Sequence, residues 1–122
     1  MHKLVILIET PPDRMAFEEE WPKFLHLAEK MDGLVRETSC HIENLLFGIF
    51  DYSFIHELYF EDARALYQAM ASTAGREAGK QLQLMTNGRM VLFVADHRED
   101  DLEHINQFKV RENDERSQAD TS

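Results

Sequence analysis

The chain has one cysteine, three prolines, five glycines and no long apolar run in its 122 residues. A lone cysteine, Cys40, excludes an internal disulfide and suits a reducing cytoplasm; as a small strand residue it needs no chemical role. The longest apolar stretch near the start, residues 4–8, is far too short for a signal-peptide core or a membrane span. The glycines do not form a dinucleotide fingerprint, because Gly75 and Gly79 lack the strand, tight turn and helix that such a site requires. No P-loop and no nucleophile elbow occurs. Positive charge is scarce as well. Thirteen Lys and Arg stand against 23 Asp and Glu, a formal charge of −10, and the basic patch that nucleic acid would need is missing. The expected setting is the cytoplasm, with neither nucleic acid nor membrane as partner.

What is present is ordinary for one globular domain: 43% hydrophobic and 30% charged residues, enough for one modest core. The sequence divides into residues 1–98, which carry the periodic patterns, and a polar extension, residues 99–122. Leu102, Ile105 and Phe108 are expected to form one short docking turn in that extension, and the chain is expected to be largely disordered after about residue 110.

Residues 3–9 read as a first strand, apolar on both faces, with Leu4, Ile6 and Ile8 against Val5 and Leu7. Thr10-Pro11-Pro12 ends it and Asp13 caps a first helix. Phe17, Trp21, Phe24, Ala28 and Met31 are spaced 4, 3, 4, 3 and so share one helical stripe, with a kink expected near Pro22. Residues 34–43 form a second strand. Residues 52–60, YSFIHELYF, form the third, with no Gly or Pro. Asp62 and Ser72 are cap signals for two further helical segments, the first with Leu66, Tyr67 and Met70 inward. Asn87-Gly88 is a turn, and residues 90–96 are a last strand, again apolar on both faces.

This order, β-α-β-β-α-(α)-β, with right-handed crossovers implies an α+β fold: a ferredoxin-like four-stranded antiparallel sheet with helices on one face. The first and third strands are central. Two-sided apolar strands and one-sided helices leave a face uncovered, and a second copy of the sheet is the simplest cover, giving a homodimer.

The third strand holds the main functional lead. Phe54, His56, Leu58 and Phe60 point one way, and Ile55, Glu57 and Tyr59 the other. His56 is the candidate catalytic acid/base, since imidazole titrates near neutrality. Trp21, Phe24, Phe54 and Tyr67 are the candidate ligand-binding residues of a helix-side pocket. Glu57 is expected at the partner sheet, paired with Arg36 or with the other chain. Whether His41 shares a face with His56 turns on the hairpin register, since a one-residue slip reverses the answer. No metal site is expected, because His56 and Glu57 lie on opposite faces. The connection NLLFGIFD, residues 44–51, is unusually apolar for a loop, and Leu46, Phe47 and Phe50 are the candidate interface anchors.

Phe17 and Trp21, Gly33-Leu34, Glu57-Leu58-Tyr59-Phe60 with Glu61-Asp62-Ala63, Ala71-Ser72 with Gly75, and Val91-Leu92-Phe93 together resemble the EthD family of the dimeric α+β barrel superfamily. The resemblance spans most of residues 3–96. It implies a barrel-forming dimer with a cavity between helices and sheet. Related barrels include cofactor-free monooxygenases, small isomerases and polyketide cyclases. The implied function is a small-molecule protein, a cofactor-free enzyme acting on an apolar or aromatic compound; the alternatives are a non-catalytic ligand carrier and a purely structural dimer. Many family members place a His soon after the helix-one tryptophan. Here His26 follows Trp21 by five residues and falls opposite the apolar stripe, so that role does not transfer to it.

Overall fold

The computed structural model describes residues 1–102; of the docking turn, Ile105 and Phe108 lie outside the described residues, as does the chain after residue 110. The elements are β1 (His2–Glu9), α1 (Arg14–Ala28), β2 (Leu34–His41), β3 (Tyr52–Phe60), α2 (Ala63–Ala71), α3 (Thr73–Thr86) and β4 (Met90–Asp96). The strands form one sheet of order β2-β3-β1-β4, all neighbours antiparallel, which is the ferredoxin-like arrangement. The first and third strands are central, as their apolar patterns require.

Each helix begins where a side chain satisfies an otherwise unpaired N–H. Asp13 accepts from the Ala16 amide at 3.1 Å, Asp62 from Ala65 at 2.8 Å, and Ser72 from Gly75 at 3.1 Å. At its end α3 turns at Asn87, whose φ of 52° is left-handed, and Gly88 follows at 75°. The helix α1 runs through Pro22 and stops at Ala28, short of the expected Met31, which is nonetheless buried in the turn after it.

One core fills the space between sheet and helices. Leu4, Ile6 and Ile8 of β1 and Phe54, Leu58 and Phe60 of β3 meet Phe24 and Ala28 of α1, Leu66 and Ala69 of α2, and Ala78 and Leu82 of α3. Gln81 of α3 donates to Glu20 of α1 at 2.8 Å and ties the two long helices together. The close corner between α2 and α3 depends on Gly75, where a Cβ would run into the Ala69 and Met70 carbonyl oxygens. Gly79 has open space around it, so close backbone packing involves the first glycine only.

Two expectations change. Tyr67 points outward, 56% exposed, because α2 turns Leu66 and Ala69 onto the sheet and leaves position 67 on the solvent side. Glu57 does face the helix-free side, but its donors are Lys3, Thr38 and Tyr59 rather than Arg36, whose guanidinium lies over the Tyr59 ring and bonds Glu99 instead.

Candidate functional site

Strand pairing decides what His56 touches. The Ile42 amide donates to the Ser53 carbonyl at 2.9 Å, so that pair is a hydrogen-bonded one. Antiparallel pairs alternate, and the Ser39–His56 pair, three steps away in the same register, is therefore non-hydrogen-bonded. Side chains approach most closely at such pairs. Ser39 Oγ and His56 Nδ1 are 2.7 Å apart. One alternation further along β2, on the same face, Glu37 Oε2 stands 3.4 Å from His56 Nε2. Neither of those two atoms has another hydrogen-bond partner among the described residues.

His56 is 1% exposed, sealed by the ring edges of Trp21 at 5.1 Å and Phe24 at 6.0 Å and by the stacked Phe54 at 6.3 Å. Burial pushes its pKa down to about 4, against a smaller upward pull from the Glu57 charge, so the ring is neutral at pH 7. Burial also raises the Glu37 carboxyl above its ordinary value, and the neighbouring Glu29 adds to the rise. With Glu37 ionised, one tautomer serves both contacts: Nε2–H faces the carboxylate and bare Nδ1 accepts the Ser39 hydroxyl proton.

Above this row lies a cleft of about 800 Å³, open on one side, between α1 and the β2–β3 end of the sheet. Phe17, Trp21 and Phe54 form its apolar wall, with Phe17 and Trp21 stacked at 5.5 Å and Trp21 meeting Phe54 edge-on at 4.8 Å. Ser39, His41 and Ser53 supply polar groups on the sheet side. Arg14 and Glu18, bonded to each other at 3.1 Å, stand on the α1 side. The register also answers the His41 question. It lies opposite Phe54, shares the helix-side face with His56, and packs on the Phe54 ring at 4.9 Å.

The residues singled out from sequence therefore separate. Trp21 and Phe54 line the cleft. His56 lies beneath its floor and reaches it through Ser39. Phe24 is core, packed behind Trp21 at 5.1 Å and 2% exposed, and does not wall the cleft. Tyr67, on the outer side of α2, is not part of the cleft lining. His26 is exposed on α1, as its position off the apolar stripe implied. Leu46 and Phe47 project from the β2–β3 connection, Phe47 being 96% exposed, while Phe50 is partly covered by Tyr52 at 4.9 Å. Glu57 sits on the opposite face of the sheet from the cleft. Ser39 and Glu37 are not among the residues singled out from sequence. Their signal was the period-2 set Glu37, Ser39, His41, three polar side chains on one face of a strand.

No family model matches the chain, and no curated protein matches it either. Solved structures do. An ethyl tert-butyl ether D (EthD) family protein from Bacillus halodurans superposes with a TM-score of 0.74 at 27% identity, over 80% of this chain and 99% of that one. SnoaB, a cofactor-independent oxygenase from Streptomyces nogalater, gives a TM-score of 0.62 at 15% identity, over 81% of this chain and 94% of its own. A dimeric ferredoxin-like protein of unknown function from Jannaschia gives 0.59 at 14%, over 80% of this chain and all of that one. In fold, and in sequence over four-fifths of its length, the chain resembles the EthD family.

Proposed function

We infer that the protein is an EthD-like homodimer that takes a small apolar or aromatic compound into the cleft between α1 and the sheet. The observation that carries this reading is an aromatic-walled cleft of about 800 Å³ whose polar floor residue, Ser39, is bonded to a buried histidine. Concave, mostly apolar sites with a few convergent polar groups are the usual form of a small-molecule site. A purely structural dimer with a sealed core needs no such cleft. His56 supplies the acid/base function, acting through Ser39 rather than by touching the ligand itself. A cofactor-free reaction in the cytoplasm is the reading that goes with this site, and the fold neighbour SnoaB is a cofactor-independent oxygenase.

Assembly supports the same picture. Val91 and Phe93 on the helix-free face are about two-fifths exposed in the single chain, and Leu46, Phe47 and Ile49 stand almost fully in water. A second copy covers such surfaces. The solved structure from Jannaschia with the same fold is a dimeric protein.

Trp21, the only tryptophan, is a built-in reporter. Titration with 1-naphthol is expected to quench its fluorescence saturably, and Phe17→Ala should weaken binding roughly 10-fold through the lost ring contact. If neither 1-naphthol nor a panel of small aromatic compounds gives saturable quenching, the cleft is not a ligand site. A carrier and an enzyme separate on His56→Gln. In an enzyme it lowers turnover of an identified substrate by about 10²-fold or more with binding intact. In a carrier it changes neither.

A further inference from the structure

Among the described residues, three side chains in a row reach from a solvent-facing cleft to a half-buried carboxylate: Ser39, His56 and Glu37. A serine hydroxyl is a weak nucleophile until a base takes its proton, and a base works best when a third group orients it. Each role has an occupant here. Ser39 is exposed at the cleft. Its Oγ lies 2.7 Å from the Nδ1 of a histidine that is itself only 1% exposed. The far nitrogen of that ring looks only at Glu37.

We propose that Ser39 is a nucleophile activated by His56, with Glu37 as the positioning residue, and that its substrates are aryl or enol esters of small acids. This rests on the reading of the cleft as a ligand site. The leaving group follows from geometry. His56 is buried behind Ser39, beneath Trp21 and Phe54, where it can reach Oγ but not a departing oxygen on the far side of the acyl carbon. A leaving group that needs a proton from the histidine is poorly served. A phenolate or enolate departs with its electron pair unaided, and its ring suits a wall made of Phe17, Trp21 and Phe54.

The step balances without an added oxidant or reductant. Ser39 Oγ bonds the acyl carbon and its proton passes to Nδ1. The carbon–oxygen bond to the aryl group breaks and phenolate leaves. Water then bonds the acyl carbon as the carbon–Oγ bond breaks: one water proton stays on the released acid, the other reaches the phenolate through solvent, and Ser39 Oγ takes back the proton held on Nδ1. The net change is ester plus water to acid plus phenol. Glu37 faces the ring nitrogen on the side away from Ser39, where it stabilises the transient imidazolium that burial would otherwise disfavour. Developing charge on the acyl oxygen also has donors at hand. Ser39 and His41 are both in non-hydrogen-bonded positions of β2, so their amides turn away from β3, and β2 is the edge strand.

Diisopropyl fluorophosphate and 4-nitrophenyl butyrate test this directly on the full chain. One phosphoryl adduct per chain is expected, mapped to Ser39 by peptide mass, together with turnover of the ester. Ser39→Ala, an exposed edge-strand change that leaves the core intact, should abolish both. His56→Gln should slow labelling by about 10²-fold or more. Glu37→Gln should lower kcat by roughly 10-fold with KM little changed, and Glu37→Asp should restore part of it, a pattern that a merely structural role would not give. An unlabelled wild-type chain, or labelling that survives Ser39→Ala, overturns the proposal. If 1-naphthol still quenches Trp21 in that case, the cleft remains a ligand site and only the nucleophile is lost. If quenching fails too, both readings fall.

Discussion

Lys3 Nζ lies 2.9 Å from Glu57 Oε1, across the two central strands and on the face that no helix covers. The same carboxylate accepts from the Tyr59 hydroxyl at 2.7 Å and the Thr38 hydroxyl at 3.1 Å. Burial pushes the Glu57 carboxyl up, and the bonds from Tyr59, Lys3 and Thr38 outweigh it, so its pKa ends below the ordinary value. A charged face made self-sufficient in this way can be buried against another sheet without leaving an unpaired ion. Lys3→Met strands the carboxylate and is expected to cost about 1–3 kcal/mol. The double change Lys3→Met with Glu57→Gln should cost less than Lys3→Met alone, because the charge leaves with its partner. Urea unfolding of the two variants and the parent checks the ordering.

The β2–β3 connection is the second test of assembly. Phe47 and Ile49 are 96% and 95% exposed in the single chain, and burying a side chain of that size contributes roughly 1.5–3 kcal/mol. The pair Phe47→Asp and Phe50→Asp should therefore shift the protein toward monomer or aggregate in light scattering, with the parent near twice 14.3 kDa. A double variant that stays dimeric with unchanged thermal stability would assign the apolar loop to some other partner.

Protonation of His56 should limit acid stability. Its folded pKa of about 4 lies below the 6.5 of an unperturbed imidazole, so the unfolded chain binds more protons between those values. The sign is thus a loss of stability as pH falls from about 6.5 toward 4, amounting to roughly 3 kcal/mol over the window. Urea midpoints near pH 7 and pH 4.5 should differ for the parent through this group, and the difference should shrink in His56→Gln.

Gly75→Ala is expected to be among the most damaging single-methyl additions in the chain. The new Cβ would meet the Ala69 and Met70 carbonyl oxygens, backbone atoms that cannot swing aside. A loss of about 1–3 kcal/mol and a lower Tm follow from the overpacking. Gly79→Ala, with open space at its Cβ position in the middle of α3, should instead stabilise by roughly 0.5–1 kcal/mol. Thermal melts of the two variants should move in opposite directions.

Local pattern determined a large part of this protein. The alternation of β3 named the helix-side row Phe54, His56, Leu58 and Phe60, and all four are buried. The 4-3-4 spacing on α1 named Phe17, Trp21, Phe24 and Ala28, and Asp13, Asp62 and Ser72 capped the helices they preceded. Each of these follows from chemistry within a few residues of itself. The candidate site does not. Ser39 and Glu37 stand 17 and 19 positions before His56, and only the pairing of β2 with β3 sets one opposite the ring and the other beside it. That pairing is of period 2, so a slip of one residue would have sent Ser39 and Glu37 to the helix-free face and brought Thr38 and Cys40 to the imidazole. Tyr67 is the reverse case. Its place on the helical wheel is close enough to Leu66 to read as inward, but with Leu66 and Ala69 packed into the core it is left in water.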